Sequence, residues 1–388
     1  MQKKRKALPV KNGQKVKIFG FASLLNDFGA NMIYPIWPIF LTTVLGANMS
    51  VLGLVDGLGD ALVSLSQAGS GYASDRLKKR KVFIWLGYLL GAISRFGYAI
   101  ATTWPMVIPF RILDRAGKIR DAPRDAIVAD ESTHKNRGKH FGIIKGMDKL
   151  GGVFGIIACV MLFNFLGYTN LFLLAALPSV LSVGLVYFLI KERKDGKIKL
   201  YKGIQLHSLT RDYKLFLILS AILALGSFSY SFLLVFANKS GYAAGLLPLL
   251  YLVYIAVTAA FSYPFGNLSD MIGRKAVMYI SILLWALTCI IFMISSLWWA
   301  ILIGFAFFGL HQAALAPVQT TFVSELAPKK FRASALGGFQ MAIGLCALPA
   351  SVIAGILWDT INPTAPFALA LILTALSAVL LFFVKNKK

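Results

Sequence analysis

Residues 111 to 126 read RILDRAGKIRDAPRDA, eight charged side chains in sixteen, with apolar flanks on both sides. A lone charge at mid-bilayer is costly, so such residues face a partner or a water-filled cavity and mark ion or solute pathways. On a helix, Arg111–Asp114, Asp114–Lys118, Lys118–Asp121 and Asp121–Asp125 stand three or four apart, so opposite-sign neighbours there pair along one face. Arg120 and Arg124 fall on the other side, close enough to the inner end to snorkel toward water. Pro123, with Gly117 before it, predicts a bend. Across all the apolar segments the cations are Arg95, Arg111, Arg115, Lys118, Arg120, Arg124, Lys145 and Lys149, and the anions are Asp27, Asp56, Asp60, Asp114, Asp121, Asp125 and Asp148. Eight against seven predicts mutual pairing and leaves the sign of any solute open.

All fifteen lie in the first half of the chain, which assigns ion coupling to that half. Asp27 shares a helical face with Asn31, Tyr34 and Pro38, so this polar face lines a cavity and Asp27 is a candidate proton site; its alternative is a structural partner for Arg111 or Lys149. Asp56 and Asp60 are four apart, with Ser64 and Gln67 continuing a water-facing stripe. Two carboxylates this close favour holding one proton, against the alternative of an interhelical ion pair or an outer-vestibule charge. The second half offers His311, Gln312 and Gln340 as solute contacts, with packing as the alternative for the histidine. Cys159, Cys289 and Cys346 have no metal-ligand spacing, and no HExxH, GxSxG or nucleotide-binding glycine loop occurs, so neither a metal, a cofactor nor an enzyme is expected.

These residues need a membrane scaffold. The chain has 388 residues, 57% hydrophobic and 14% charged, and divides into twelve apolar segments near 17–42, 48–73, 81–100, 104–129, 140–165, 169–190, 213–238, 244–268, 275–295, 298–323, 334–358 and 363–384. Each is long enough to cross a hydrocarbon core as a helix. Of the 40 Lys and Arg, 31 fall in alternate loops and termini and one, Lys239, in the opposite loops. That bias places both termini in the cytoplasm and accounts for the +24 charge without nucleic acid. The first segment carries Asn26, Asp27 and Asn31 and shows no cleavage site, so it stays as a span and not a signal peptide. Trp104, Trp298, Trp299 and Trp358 are placed at outer ends, as an interfacial belt.

The chain is also written twice. Gly71–Tyr–Ala–Ser–Asp75 and Gly266–Asn–Leu–Ser–Asp270 match at an offset of 195 residues, and the same offset pairs Trp104 with Trp299 and Asp130 with Glu325. Two six-helix bundles, 1–190 and 214–388, are joined by a basic cytoplasmic linker, 191–213. Parallel repeats with a site between them at mid-depth are an arrangement of secondary transporters.

GNLSDMIGRK, residues 266–275, resembles the loop signature of the major facilitator superfamily through Gly266, Asp270, Gly273, Arg274 and Lys275; the first copy keeps Gly71, Asp75, Arg76 and Arg80 but has Lys78 for the second glycine. The resemblance implies an all-α membrane fold of twelve helices in two pseudo-symmetric bundles. It also implies gating in which Asp75 faces the eleventh helix and Arg76 and Arg80 reach Asp130. Drug/proton antiporters of that family carry an arginine in the outer fourth helix and an acid at its inner end, matched by Arg111 and Asp130, whereas Arg115, Lys118 and Arg120 depart from their pattern. The expectation is therefore a monomeric transporter in the bacterial cytoplasmic membrane. It exchanges protons for an amphiphilic or metabolite-like compound, coupled through Asp27, Asp56, Asp60 and Arg111, with Asn31, Tyr34, Arg115, Lys118, His311, Gln312 and Gln340 lining the cavity. The alternative is a symporter or exchanger for an anion held by Arg111, Arg115 and Lys118.

Overall fold

The computed structural model describes residues 14–77, 79–132, 137–191, 210–327 and 332–384, without the side chains of Asp75, Arg137, Gly138, Arg332, Ala333 and Ser334. The N-terminal basic run, most of the linker, Lys78 and the Asp75 side chain therefore lie outside the described residues. Those described form helices α1 (Gln14–Ile33), α2 (Trp37–Ile39), α3 (Met49–Leu77), α4 (Arg80–Ile100), α5 (Trp104–Ala116), α6 (Asp121–Asp130), α7 (Arg137–Leu189), α8 (Arg211–Leu225), α9 (Tyr230–Lys239), α10 (Leu247–Ile272), α11 (Arg274–Ile294), α12 (Trp298–Leu326), α13 (Arg332–Thr360) and α14 (Ala365–Phe383). Among the described residues there is no strand.

Nine helical stretches among the described residues are long and apolar enough to cross a membrane. The charged α5–α6 stretch and polar α1 fall outside those nine, so both depend on neighbours to cover their charges. The 53-residue α7 is two arms joined at Gly167, whose φ of 66° and ψ of −170° interrupt the helix in a conformation suited to glycine.

The breaks fall where sequence chemistry permits them. After α1 the backbone turns through residues 34–36 into α2 and a π-helical turn, Phe40–Val44, within what sequence reads as one span. The expected bend at Pro123 lies elsewhere: the irregularity is the 3₁₀ turn Gly117–Arg120, and Pro123 sits in the first turn of α6, where its missing N–H costs nothing. Between α8 and α9 the chain opens at Gly226 and restarts at Ser229, whose hydroxyl caps α9 by accepting the Ser231 N–H at 3.2 Å.

The two repeats, α1–α7 and α8–α14, meet most closely through α3 and α13. Gly53 and Gly57 let α3 lie on the α13 backbone; a Cβ on Gly57 would sit 2.8 Å from Leu348 Cα, and one on Gly53 would collide with the Ser351 carbonyl. Gly355 returns the arrangement, with a Cβ there meeting Met49 and Ser50 backbone. These contacts lie toward the far end, opposite the end that carries residues 71–81 and 266–275, here termed the motif end. Toward the motif end packing loosens: a Cβ on Gly69, Gly142, Gly146, Gly266 or Gly337 would meet nothing within 4 Å. Trp298 and Trp299 are exposed, as an interfacial belt needs, but Trp358 is buried against Phe232 and Phe236 and belongs to the core.

Candidate functional site

The centre of the molecule is built on Asp56. The glycines at 53 and 57 bring α3 against α13 and aim the Asp56 carboxylate at the break between α8 and α9. It is 2% exposed, so it is no part of a water-facing stripe. Arg111 Nη2 donates to its Oδ1 at 2.6 Å and Trp37 Nε1 donates to the same oxygen at 3.2 Å. Ser229 donates to Oδ2 at 2.8 Å, and Ser231 makes a second, short bond to Oδ2. The carboxylate of one repeat thus rests on the N-terminus of a helix of the other, where hydroxyls and the helix dipole favour an anion. The Arg111 guanidinium lies over the Trp37 ring at 4.6 Å and has Asp114 at 3.8 Å. A buried pair is tolerable when its remaining lone pairs and protons are satisfied, as nearly all are here. The exception is Arg111 Nε, which is buried without a hydrogen-bond partner, as are Arg115 Nε and Asp114 Oδ2, which face each other at 3.8 Å, too far for a hydrogen bond.

One turn along α3, Asp60 is exposed, and its carboxylate makes no hydrogen bond or ion pair among the described residues. Arg115 stacks on Tyr34 at 5.3 Å, with its Cγ 3.1 Å from where a Cβ on Gly59 would sit, so Gly59 makes room for it. Opposite stands an aromatic wall of the second repeat, Tyr230, Tyr251 and Tyr254, with ring centroids 4.9 and 5.6 Å apart in sequence. Arg115 and Tyr254 both lie within Coulombic reach of Asp60, and Tyr230 donates to the Tyr34 carbonyl at 3.4 Å.

Below this centre the first repeat holds a second layer of charge. Asp27 pairs with Arg120 at 3.7 Å and accepts from Asn26 at 3.0 Å; it is bonded to neither Arg111 nor Lys149, the partners its sequence position offered. Arg124 donates to Ser23 at 2.6 Å and to Asp125 at 3.0 Å, and faces Asp148 at 3.6 Å. Arg120 and Arg124, 4% and 3% exposed, are thus buried and do not snorkel. Sequence spacing misassigns them because α1 and α7 bring carboxylates to the face that spacing within one helix leaves empty. Gln67 donates to Asp121 at 3.0 Å. Arg95, 2% exposed, donates to the Asn26 backbone and side-chain oxygens at 3.1 and 3.2 Å and to the Ala175 carbonyl at 3.4 Å. A polar cavity of about 60 Å³ lies among Asp27, Asn31, Tyr34, Arg95, Asp114 and Lys118, room for a few waters.

The second repeat's candidates divide. His311 is fully buried, its Nδ1 2.8 Å from the Ser281 carbonyl and its ring stacked with Trp285, so it packs the bundle and does not line the centre. Gln312 is half-buried and Gln340 exposed on α13. At the motif end Arg80 pairs with Asp130 at 2.5 Å, as the loop signature implies, while Arg76 is exposed. The second copy repeats the arrangement: Arg274 pairs with Asp270 at 2.5 Å and Glu325 at 3.1 Å, and Lys275 donates to the Phe382 carbonyl at 2.7 Å. Gly273, at φ 94°, turns the chain between α10 and α11. Gly71 lies 3.5 Å, measured from a built Cβ, from Ala122, and Gly266 faces open space.

Sequence inspection misses Trp37, Ser229 and Ser231. The Gly-Ser-Phe-Ser-Tyr-Ser run at 226–231 carries the signal, since glycine followed by serines inside an apolar span marks a helix stop and a new N-cap.

The family model for the Major Facilitator Superfamily matches residues 19–249 and 215–388. An uncharacterized MFS-type transporter of Methanocaldococcus jannaschii is 36% identical over 380 residues, covering 96% of this chain and 95% of that one. The quinolone resistance protein NorA of Staphylococcus aureus is 25% identical over 246 residues, 59% of this chain and 60% of that one. Among solved structures, the nucleoside transporter NupG superposes with a TM-score of 0.75 at 17% identity, covering 96% of this chain and 100% of that one. A bacterial homolog of the human lysosomal transporter Spinster, inward-facing and occupied, gives 0.75 at 14% identity, covering 95% and 96%.

Proposed function

The chain belongs to the major facilitator superfamily, whose members are membrane transporters and not enzymes, and from that premise we propose proton-coupled export of a small organic solute by alternating access. The nine apolar stretches, with α7 counted as two arms, and the polar spans 14–44 and 104–130 give twelve crossings, six per repeat. With both termini cytoplasmic, as the loop charges favour, the motif end faces the cytoplasm and the far end faces outward. Tight packing of α3 on α13 at the far end, beside open glycines at the motif end, supports a conformer open to the cytoplasm. The working unit is a single chain, since the pathway lies between its two repeats. The prokaryotic relatives support a cytoplasmic-membrane location.

The observation that carries proton coupling is the contrast between Asp60 and its neighbours. Asp27, Asp56, Asp114, Asp121, Asp125 and Asp148 each face an arginine within 4.0 Å, whereas Asp60, exposed between the repeats, has none that close and only the longer-range field of Arg115. A carboxylate in that position is free to exchange its proton for a solute. The same pairing argues against an anion site on the fourth span, because Arg111, Arg115, Arg120 and Arg124 already have carboxylate neighbours. Lys118 stands beside Asp121 and lines a cavity of about 60 Å³, far below the roughly 300–1,000 Å³ of organic ligand sites. The distant relative named for quinolone resistance supports export of an amphiphilic compound.

The test is purified protein in liposomes that trap a pH dye under an imposed proton gradient, challenged with lipophilic cations, neutral amphiphiles and organic anions. The expected result is collapse of the gradient by a cation or neutral amphiphile with wild type and with Asp27→Asn, and none with Asp60→Asn. Movement of anions alone, unaffected by Asp60→Asn, would overturn the proposal.

A further inference from the structure

The far end closes through two contacts that the internal repeat relates to each other. On the α13 side, Asp359 Oδ1 accepts the Met49 N–H at 3.1 Å, and Oδ2 accepts the Ser50 N–H at 2.7 Å and the Ser50 hydroxyl at 2.6 Å. A carboxylate of the second repeat therefore caps α3 of the first, satisfying N–H groups that have no partner within their own helix. On the α7 side, Asn164 stands near the end of the first arm, and its side chain lies so close to Gly245 that a Cβ there would sit 3.1 Å from Asn164 Cγ. Gly245 belongs to the 3₁₀ turn Ala244–Leu246 that leads into α10.

The residue numbers coincide with the repeat. Asp359 minus Asn164 is 195, and Gly245 minus Ser50 is 195, the offset that aligns the two motif copies. Each repeat thus sends the polar residue at the end of its fifth helix onto the start of the other repeat's second helix. One of the two seats is charged and bonded three times, and the other is a neutral carboxamide against a glycine.

We propose that Asp359 and Asn164 are paired latches of the far gate and that Asp359, the charged one, sets the balance between far-closed and far-open states. The inference rests on alternating access as proposed above. For the far end to open, α3 must leave α13, and the three bonds to Asp359 must part. Asp359 is exposed, so water replaces those bonds as they break. The latch is accordingly reversible, and its loss moves the equilibrium by about tenfold, the size of one helix cap, or about 1.4 kcal/mol. Asn164 has no charge to offer the α10 N-terminus, so that latch is weaker, and giving it a carboxylate strengthens it.

The experiment places spin labels at Thr102 and Ser296 on the far end and, in a second sample, at Leu77 and Ile272 on the motif end, all exposed, with the three native cysteines replaced. Distance distributions are recorded in lipid for wild type, Asp359→Asn, Asn164→Asp and Ser50→Ala. Asp359→Asn is expected to raise the far-open to far-closed ratio about tenfold, with the motif-end distance shortening in step. Ser50→Ala moves the ratio the same way by less, and Asn164→Asp moves it the other way. An unmoved ratio in both Asp359→Asn and Ser50→Ala overturns the proposal, as does a broadening of both distances together, which signals a loosened fold. Proton-driven flux in the same vesicles separates the two levels. Flux with an unmoved ratio sinks the latch alone; no flux, with one invariant pair of distances, sinks alternating access and the latch with it.

Discussion

Replacing Asp56 with alanine is the most demanding perturbation of the central site. Four donors converge on this carboxylate, from Arg111, Trp37, Ser229 and Ser231. Without it the Arg111 guanidinium, 3% exposed, keeps only Asp114 at 3.8 Å and the Trp37 ring at 4.6 Å. Breaking a buried pair from one side costs about 3–5 kcal/mol because it strands the other charge. The two serine hydroxyls also lose a charged acceptor, which places Asp56→Ala toward the upper part of that range. The double variant Asp56→Ala/Arg111→Met removes both charges and is expected to be more stable than Asp56→Ala alone. Its coupling energy, read from a double-mutant cycle, should be about 2–3 kcal/mol. Equilibrium unfolding in mixed micelles measures all four species. A single-variant cost below about 1 kcal/mol, or strict additivity in the cycle, would refute the assignment of Asp56 and Arg111 as a mutually dependent buried pair.

Asp60→Asn, which removes a charge with no bonded partner, should leave unfolding free energy within about 0.5 kcal/mol of wild type in the same micelles. A larger loss would mean that Asp60 is structural. Arg120→Gln should destabilise by about 3 kcal/mol, because it strands Asp27, while Lys118→Gln, which leaves Asp121 bonded to Gln67 and beside Arg120, should cost clearly less. Equal costs for the two would contradict the pairing of the Gly117–Arg120 turn with α1. Gly57→Leu should force α3 off the Leu348 backbone and open the far end, seen as faster labelling of a cysteine introduced at Ser229 by a membrane-impermeant reagent. Unchanged labelling would show that α3 and α13 are not the closure.

The scaffold is legible in the sequence because its signals are local. Apolar run length marks the spans, the loop motif marks the repeat, and the 195-residue offset joins them. The site is only half legible. Charge counting anticipates that Arg111, Asp114, Asp121 and Arg124 are neutralised, since a bilayer demands it, and helical spacing finds the Arg111–Asp114 pair but not the partners on other helices. Arg124 meets Ser23 and Asp148, and Arg120 meets Asp27, across helix interfaces that no single-helix periodicity encodes. Asp56 and Asp60 look equivalent as a pair four residues apart, yet one is sealed by Ser229 and Ser231 of the other repeat together with Arg111 and Trp37, and one is open. His311 has the residue type of a proton site and the surroundings of a packing residue, and type alone does not separate them.

The ionic interior of the first repeat also bears on how the chain enters a membrane. Spans are presented to the insertion machinery one after another, and the α5–α6 stretch, with eight charges in sixteen residues, is a poor candidate to leave it alone. Its neutralising carboxylates sit on α1, α3 and α7, two of them made earlier and one later. The first repeat is therefore expected to be retained as a nascent group until its sixth crossing is made, whereas the apolar spans of the second repeat can partition one by one. Biogenesis would then be asymmetric in a molecule whose architecture is a duplication.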